Sequence, residues 1–176
     1  MEDQPQVSRK SIMLNYGLLL GFVSIITALV NYVFGDIYQP HWSLMVASLA
    51  ITTIIIVIGL KKVKEMNSGF LSVGEAIKTG LGISLISAII YVLYVLIFYY
   101  MIEPEFFKNM IKVQEQMILE SYPNLTDEQL EGAKKNAAMF ASPGVNLTLT
   151  IIVSLFFGLI ISLIAGLVMK KSEEDI

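Results

Sequence analysis

Four side chains in this 176-residue sequence combine a chemically useful type with a place in or beside a long apolar run: Asn31, Glu75, Tyr91 and Tyr94. Hydrocarbon offers such groups no water, so a polar or ionisable residue there is a candidate for an ion path or a relay. Glu75 would titrate or bind a cation at the membrane boundary. Yet Ser72-Val73-Gly74-Glu75 ahead of an apolar run also has the spacing of a capping box. In that motif the Ser72 hydroxyl accepts from the Glu75 amide and the carboxylate accepts from the Ser72 amide. The capping role is the expected one. Asn15 and Asn31 would line a polar path, but interhelical hydrogen bonding or interfacial placement is the simpler expectation. His41, the single histidine, stands in a turn beside Trp42 and reads as incidental rather than as a pH sensor or metal ligand. With no cysteine and one histidine, disulfides, thiolate nucleophiles, cysteine-based zinc sites and paired-histidine metal motifs are excluded. Acid–base chemistry needs positioned titratable groups, and the apolar runs offer none. Glu115, Glu120, Asp127, Glu128 and Glu131 fall on amphipathic segments, where acids form the solvated face. The expectation is a protein that is not an enzyme and holds no cofactor or metal.

The elements that position these residues follow from composition. Hydrophobic residues make up 55% and charged residues 15%, against about 25% charged in a soluble domain. A net charge of -3 gives no reason to expect a nucleic-acid partner, and lysines beside apolar runs read as membrane anchors. Four runs, about 12–34, 43–60, 80–102 and 145–169, approach or exceed the ~20 residues that cross a bilayer. The β-branched stretch Ile51–Ile58 would suit a strand in water. In hydrocarbon every backbone group must be satisfied internally, and the alternating segments of a barrel are missing, so helix is expected. The first run is too long for the ~7–15-residue core of a secretory signal and reads as an uncleaved helix. Met1–Ser11 and the final SEEDI read as mobile tails. The sequence therefore predicts one all-α, polytopic membrane domain over 1–176, with four transmembrane helices and a helical hairpin at 104–142 between the third and fourth.

Small residues mark helix faces that can approach closely. They are Gly17, Gly21, Ser24 and Ala28 in the first run, Gly80, Ser84 and Ser87 in the third, and Ser154, Gly158, Ser162 and Gly166 at four-residue spacing in the fourth. Tyr32, Tyr38 and Trp42 around the first turn and Phe98, Tyr99 and Tyr100 at the exit of the third run suit one interfacial belt, on the same side of the membrane. Gly69–Thr79, carrying Phe70, Leu71, Val73 and Ile77, is expected to lie in the interface before the chain turns inward.

Several short features occur together: the basic loop after the second run, Gly69-Phe70-Leu71-Ser72 with Glu75-Ala76, Gly80-Leu81-Gly82, Glu103-Pro104, and a last run ending in Lys170-Lys171. In this arrangement the chain resembles the bacterial membrane protein family of unknown function numbered 4199. The resemblance covers nearly the whole chain and implies a small four-helix integral membrane protein of bacterial type. It carries no established activity, substrate or catalytic residue.

In the polar insert, Pro104 suits a first helical turn, and Phe106, Met110, Val113 and Met117 recur at helical spacing up to about Ser121. Thr126 with Gln129 has the spacing of a second capping box and predicts a helix over Asp127–Phe140, with Leu130, Ala133, Ala137 and Phe140 on its apolar face. Basic residues near span ends decide topology. With both termini inside, Arg9, Lys10, Lys61, Lys62, Lys64, Lys78, Lys170 and Lys171 are cytoplasmic, against Lys108, Lys112, Lys134 and Lys135 outside. A multi-pass protein of the bacterial inner membrane with cytoplasmic termini and an extracytoplasmic hairpin is expected. Its partners are membrane lipid and, through the hairpin and the small-residue faces, another membrane protein or a second copy of itself. The alternative is a small oligomeric transporter or channel that uses Asn31, Glu75, Tyr91 and Tyr94.

Overall fold

The computed structural model describes residues 8–171; the two tails read as mobile lie mostly outside these residues. The chain forms α1 (Arg9–Phe34), α2 (Trp42–Met66), α3 (Val73–Ile97), a π-helical turn (Phe98–Ile102), α4 (Phe106–Ser121), α5 (Asp127–Phe140) and α6 (Pro143–Met169). Arg9, Lys10 and Ser11, assigned to the first tail, belong to α1. No sheet forms among the described residues, as the all-α expectation requires. α1, α2, α3 with its π turn, and α6 are each long and apolar enough to cross a membrane.

Other boundaries also differ from the expected runs, and α6 starts two residues early, at Pro143. α2 continues through Lys61, Lys62 and Lys64 to Met66, because lysine is a good helix former and its stem can carry the charge clear of the bundle. Asn67 closes the helix, the Gly69 amide reaches back to the Lys64 carbonyl at 2.8 Å, and Ser68 and Gly69 turn the chain at φ 55° and 91°. This is the six-to-one bond of a Schellman close. α3 then starts at Val73 rather than near Gly80, so Gly69–Thr79 does not lie flat in an interface. Its Leu71, Ala76 and Thr79 are fully buried. Two turns join the helix because a Cβ on Gly166 of α6 would stand 2.7 Å from the Ala76 Cβ; the missing side chain lets the α3–α6 contact run on to that end. Finally, α4 begins at Phe106 rather than Pro104, and α5 has the expected bounds, with the Thr126–Gln129 capping box formed.

α3 is the central helix, packed along α1 on one side and α6 on the other. Its contact with α6 is a reciprocal seam of small residues. A Cβ on Gly80 would collide with the Ser162 side chain and one on Gly158 with Ser84, and the Ser154 hydroxyl donates to the Ser84 carbonyl at 3.2 Å. On the α1 side, Cβ atoms on Gly17 and Gly21 would come within 2.7 and 3.0 Å of the Ile86 and Ile90 Cβ atoms. These glycines let backbones approach so that many weak dispersion contacts form, which is what holds helices together where lipid tails are as apolar as the side chains.

The densest core lies toward the lysine-rich end, where Ile12, Ile55, Ile56, Leu60, Val63, Leu71, Ile83 and Ile161 form one buried cluster. Leu71 and Lys171 exchange backbone hydrogen bonds of 3.1 and 3.2 Å in an isolated antiparallel bridge. Lys64 Nζ donates to the Met169 carbonyl at 2.7 Å, so a cation meets the unpaired carbonyls ending α6.

Candidate functional site

α2 is buried only at Ile55, Ile56, Gly59, Leu60 and Val63, all toward the lysine-rich end. Toward the hairpin it stands away from the bundle, with Trp42 68% and Met45 73% exposed. A glycine sets the inner contact: a Cβ on Gly59 would fall 2.7 Å from Ile83 Cδ1 of α3. Between the separated α2 and the α1–α3–α6 layer lies a cavity of about 890 Å³. Ser24, Thr27 and Ala28 of α1, Ser48 and Thr52 of α2, Ser87 and Ala88 of α3, and Thr150 and Ser154 of α6 line it.

The cavity wall is less polar than this roster suggests. Ser24, Thr27, Thr52 and Thr150 each donate to the carbonyl four residues earlier, at 2.8 to 2.9 Å. A hydroxyl satisfied within its own helix leaves mainly methyl and methylene surface to a neighbour. At its deep end the cavity meets Leu20 and Ile51, which belong to or pack on the buried core. The space therefore stops inside the bundle and does not run through it.

Aromatic rings cover the hairpin end. Tyr99 stacks on Phe106 at 4.8 Å, Tyr38 stacks on the same ring at 5.5 Å, and Tyr32 meets Phe98 edge-on at 5.1 Å. Offset and edge-on arrangements are the favoured geometries for such pairs. Polar tips fasten the cover: Tyr99 Oη donates to Asn146 Oδ1 at 3.1 Å, and Asn109 Nδ2 donates to Tyr38 Oη at 3.3 Å. The π turn is part of this device. The Glu103 amide closes it on the Phe98 carbonyl at 2.8 Å, and the wider turn shifts helical register where Phe98 and Tyr99 enter the cluster. Such local π turns recur at functional sites.

The structure brings Asn31, Tyr91 and Tyr94 to the same cavity. Asn31 Oδ1 itself is buried against Gly35, without a hydrogen-bond partner among the described residues. Glu75 is at the opposite end. Its carboxylate accepts from the Ser72 amide at 3.0 Å, the Ser72 hydroxyl at 2.9 Å and Asn67 Nδ2 at 3.2 Å, with Arg9 3.6 Å away. The capping box is complete, and Glu75 contributes nothing to the cavity. His41 caps α2, its Nδ1 accepting from the Ser43 amide at 3.3 Å, and stands at the cavity rim. Of the small-residue faces, Gly17 and Gly21 meet α3, Ser24 and Ala28 line the cavity, and the α3 and α6 faces largely fill each other. From sequence Phe106 is read only as one position of an amphipathic face and Ser154 only as a packing residue; Ser48, Thr52 and Thr150 are not singled out, although Ser48 with Thr52 and Thr150 with Ser154 have the four-residue spacing that would have found them.

A family model described as a protein of unknown function, DUF4199, matches residues 15–171. The chain is a member of the DUF4199 family. No curated protein and no solved structure matches it. In this DUF4199 protein no group of three or more His, Asp or Glu side chains is placed to hold a metal ion among the described residues. What the cavity offers is an uncharged, one-sided space of the size, about 300–1,000 Å³, that accommodates small ligands.

The hairpin of this DUF4199 protein packs on itself, with Lys134 3.8 Å from Glu115, and Phe106, Ala137 and Ala141 are its buried residues. Its apolar faces are only partly covered. Met117 and Phe140, expected on packed faces, are 44% and 52% exposed, and Leu119, Tyr122 and Met139 are exposed with them. The reason is geometric: α4 and α5 are joined by a short turn and meet each other, and beyond Phe106 no span reaches back to cover them.

Proposed function

We propose that this is a non-enzymatic, multi-pass membrane protein that takes the hydrocarbon chain of a lipid-like molecule into the cavity between α2 and the α1–α3–α6 layer. The observation that carries this reading is the separation of α2 from the bundle over its hairpin-side half, beside a wall whose hydroxyls are mostly satisfied within the protein. An apolar space of about 890 Å³ open beside acyl chains gains dispersion contacts when a chain enters it. The test is to purify the protein with native lipid and measure co-purifying lipid by native mass spectrometry. Ser48→Phe and Ala28→Phe, which fill the cavity, are expected to abolish stoichiometric lipid retention. Retention unchanged in both folded variants would sink the reading.

The eight basic residues Arg9, Lys10, Lys61, Lys62, Lys64, Lys78, Lys170 and Lys171, against four on the hairpin, support cytoplasmic termini in a bacterial inner membrane and an extracytoplasmic hairpin. The chain has no cysteine, so single cysteines introduced at Ser68 and Gly132 and labelled with an impermeant maleimide test this directly. Labelling of Ser68→Cys in intact cells would reverse the orientation.

A second reading is favoured by the exposed Met117, Leu119, Met139 and Phe140: attachment of a protein partner at the hairpin, where flexible methionines adapt to a binding surface. Deleting the hairpin should then remove a stoichiometric cross-linked partner. Self-association through the small-residue faces gains little support, because those faces are largely occupied within the chain. A transporter would need a path past Ile55, Ile56 and Leu60, which close the lysine-rich half.

A further inference from the structure

We infer that the cavity's ligand is an uncharged single-chain amphiphile whose hydroxyl or carbonyl head sits beside Tyr91 and Tyr94, with its tail running toward Leu20 and Ile51. This rests on the chain-binding reading above and adds the chemistry of the head. No Asp, Glu, Lys or Arg lines the cavity. A phosphate or carboxylate head drawn inside would be desolvated with no Lys or Arg to pair it and only His41, at the rim, among the basic side chains of the lining, a penalty that an uncharged head avoids. The polar lining is also graded. The deep end carries Leu20, Ile51 and Ala88 beside the small hydroxyls of Ser24 and Ser87, whereas Asn31 and the larger Tyr91 and Tyr94 belong to the turns nearer the hairpin.

Among the tyrosines there, Tyr99 is committed to Asn146 and Tyr32 stands 3.5 Å from Glu103. Tyr91 and Tyr94, whose rings lie 5.8 Å apart, have no hydrogen-bond partner among the described residues and line the cavity. Two neighbouring phenol groups are donors suited to one uncharged oxygen. The cavity volume, in the upper part of the range for a single small ligand, matches one amphiphile rather than a patch of bilayer.

The experiment uses the full chain in lipid nanodiscs and two photoactivatable probes with the same diazirine-bearing acyl chain. One is a monoacylglycerol and the other a lysophosphatidylglycerol, with crosslinks mapped by peptide mass spectrometry. The monoacylglycerol should label α1 and α2 residues of the cavity and be displaced by unlabelled monoacylglycerol, while the phosphate-bearing probe labels it at least about tenfold less. Each of Tyr91→Phe and Tyr94→Phe should weaken competition by the neutral lipid about fivefold, the effect of one ordinary hydrogen bond, with crosslinking by the chain retained. Equal labelling by both probes would overturn the head-group inference and leave the chain-binding reading standing. Absence of cavity labelling by either probe would overturn both. Undiminished competition in the Tyr91→Phe/Tyr94→Phe double variant would overturn the assignment of the head to these hydroxyls.

Discussion

The α3–α6 seam makes a quantitative prediction through Gly158. Replacing it with alanine puts a methyl onto the Ser84 hydroxyl and 2.7 Å from the Ser84 Cβ, closer than side-chain carbons approach in folded proteins. Neither helix can yield cheaply, since Gly80 meets Ser162 one turn away and Ser154 is bonded to the Ser84 carbonyl. Overpacking of this kind costs about 1–3 kcal/mol. Alanine also favours a helix over glycine by about 0.8–1.0 kcal/mol, so the single variant alone understates the clash. A double-mutant cycle with Ser84→Gly removes that offset, because the propensity gain is common to both backgrounds and cancels. The expected coupling is about 1–3 kcal/mol, with Gly158→Ala tolerated once Ser84 is glycine. It is measured by reversible denaturation in mixed micelles, followed by tryptophan fluorescence from Trp42 and by circular dichroism. A coupling below about 0.5 kcal/mol, the usual scatter for independent sites, would refute the claim that these two residues meet across a rigid seam.

Gly132 provides the opposite case: it lies inside α5 with nothing within 4 Å of where a Cβ would stand, so Gly132→Ala should stabilise the hairpin by up to about 1 kcal/mol, read as slower amide exchange in α5. Ser72→Ala, which removes the hydroxyl that accepts from the Glu75 amide at 3.2 Å, should destabilise by about 1 kcal/mol. Glu75→Gln keeps a capping side chain and should change denaturation little; a large loss of lipid retention in that variant would contradict the placement of Glu75 outside the site. Lys64→Met removes the ammonium from the Met169 carbonyl and should increase hydrogen exchange in the last turn of α6, with α1 unaffected. At the root of the hairpin, Lys108 hydrogen-bonds Glu105 and holds its carboxyl below the usual range. That pair's contribution is present above the ordinary carboxylate value and disappears as pH falls through the lowered one, so a carboxyl NMR titration should show a depressed midpoint that returns toward normal in Lys108→Met.

The parts of this protein legible from sequence are those set by local chemistry. Ser72 with Glu75 and Thr126 with Gln129 cap helices where their spacing says they should, because a capping box closes within four residues. The lack of any charge through the β-branched stretch Ile51–Ile58 decided helix over strand, because hydrocarbon leaves the backbone no other partner. The ends of α2 and the start of α3 were harder to read. Lysine can continue a helix beyond the apolar run, and whether Gly69–Thr79 lies on a membrane or joins α3 depends on Gly166, about ninety residues later in the sequence.

By itself the sequence determined an all-α chain with four long apolar helices, a capped polar hairpin, and stripes of small residues able to pack closely. Only the tertiary structure decided that Gly80 and Gly158 face Ser162 and Ser84, that Asn31, Tyr91 and Tyr94 share a cavity while Glu75 stands apart, and that half of α2 leaves the bundle. The physical reason is that a helix in lipid is apolar on the face that meets its neighbours and on the face that meets acyl chains. Periodicity, which separates core from surface in water, carries little such contrast here, and the partner of each face is settled only when the helices are packed together.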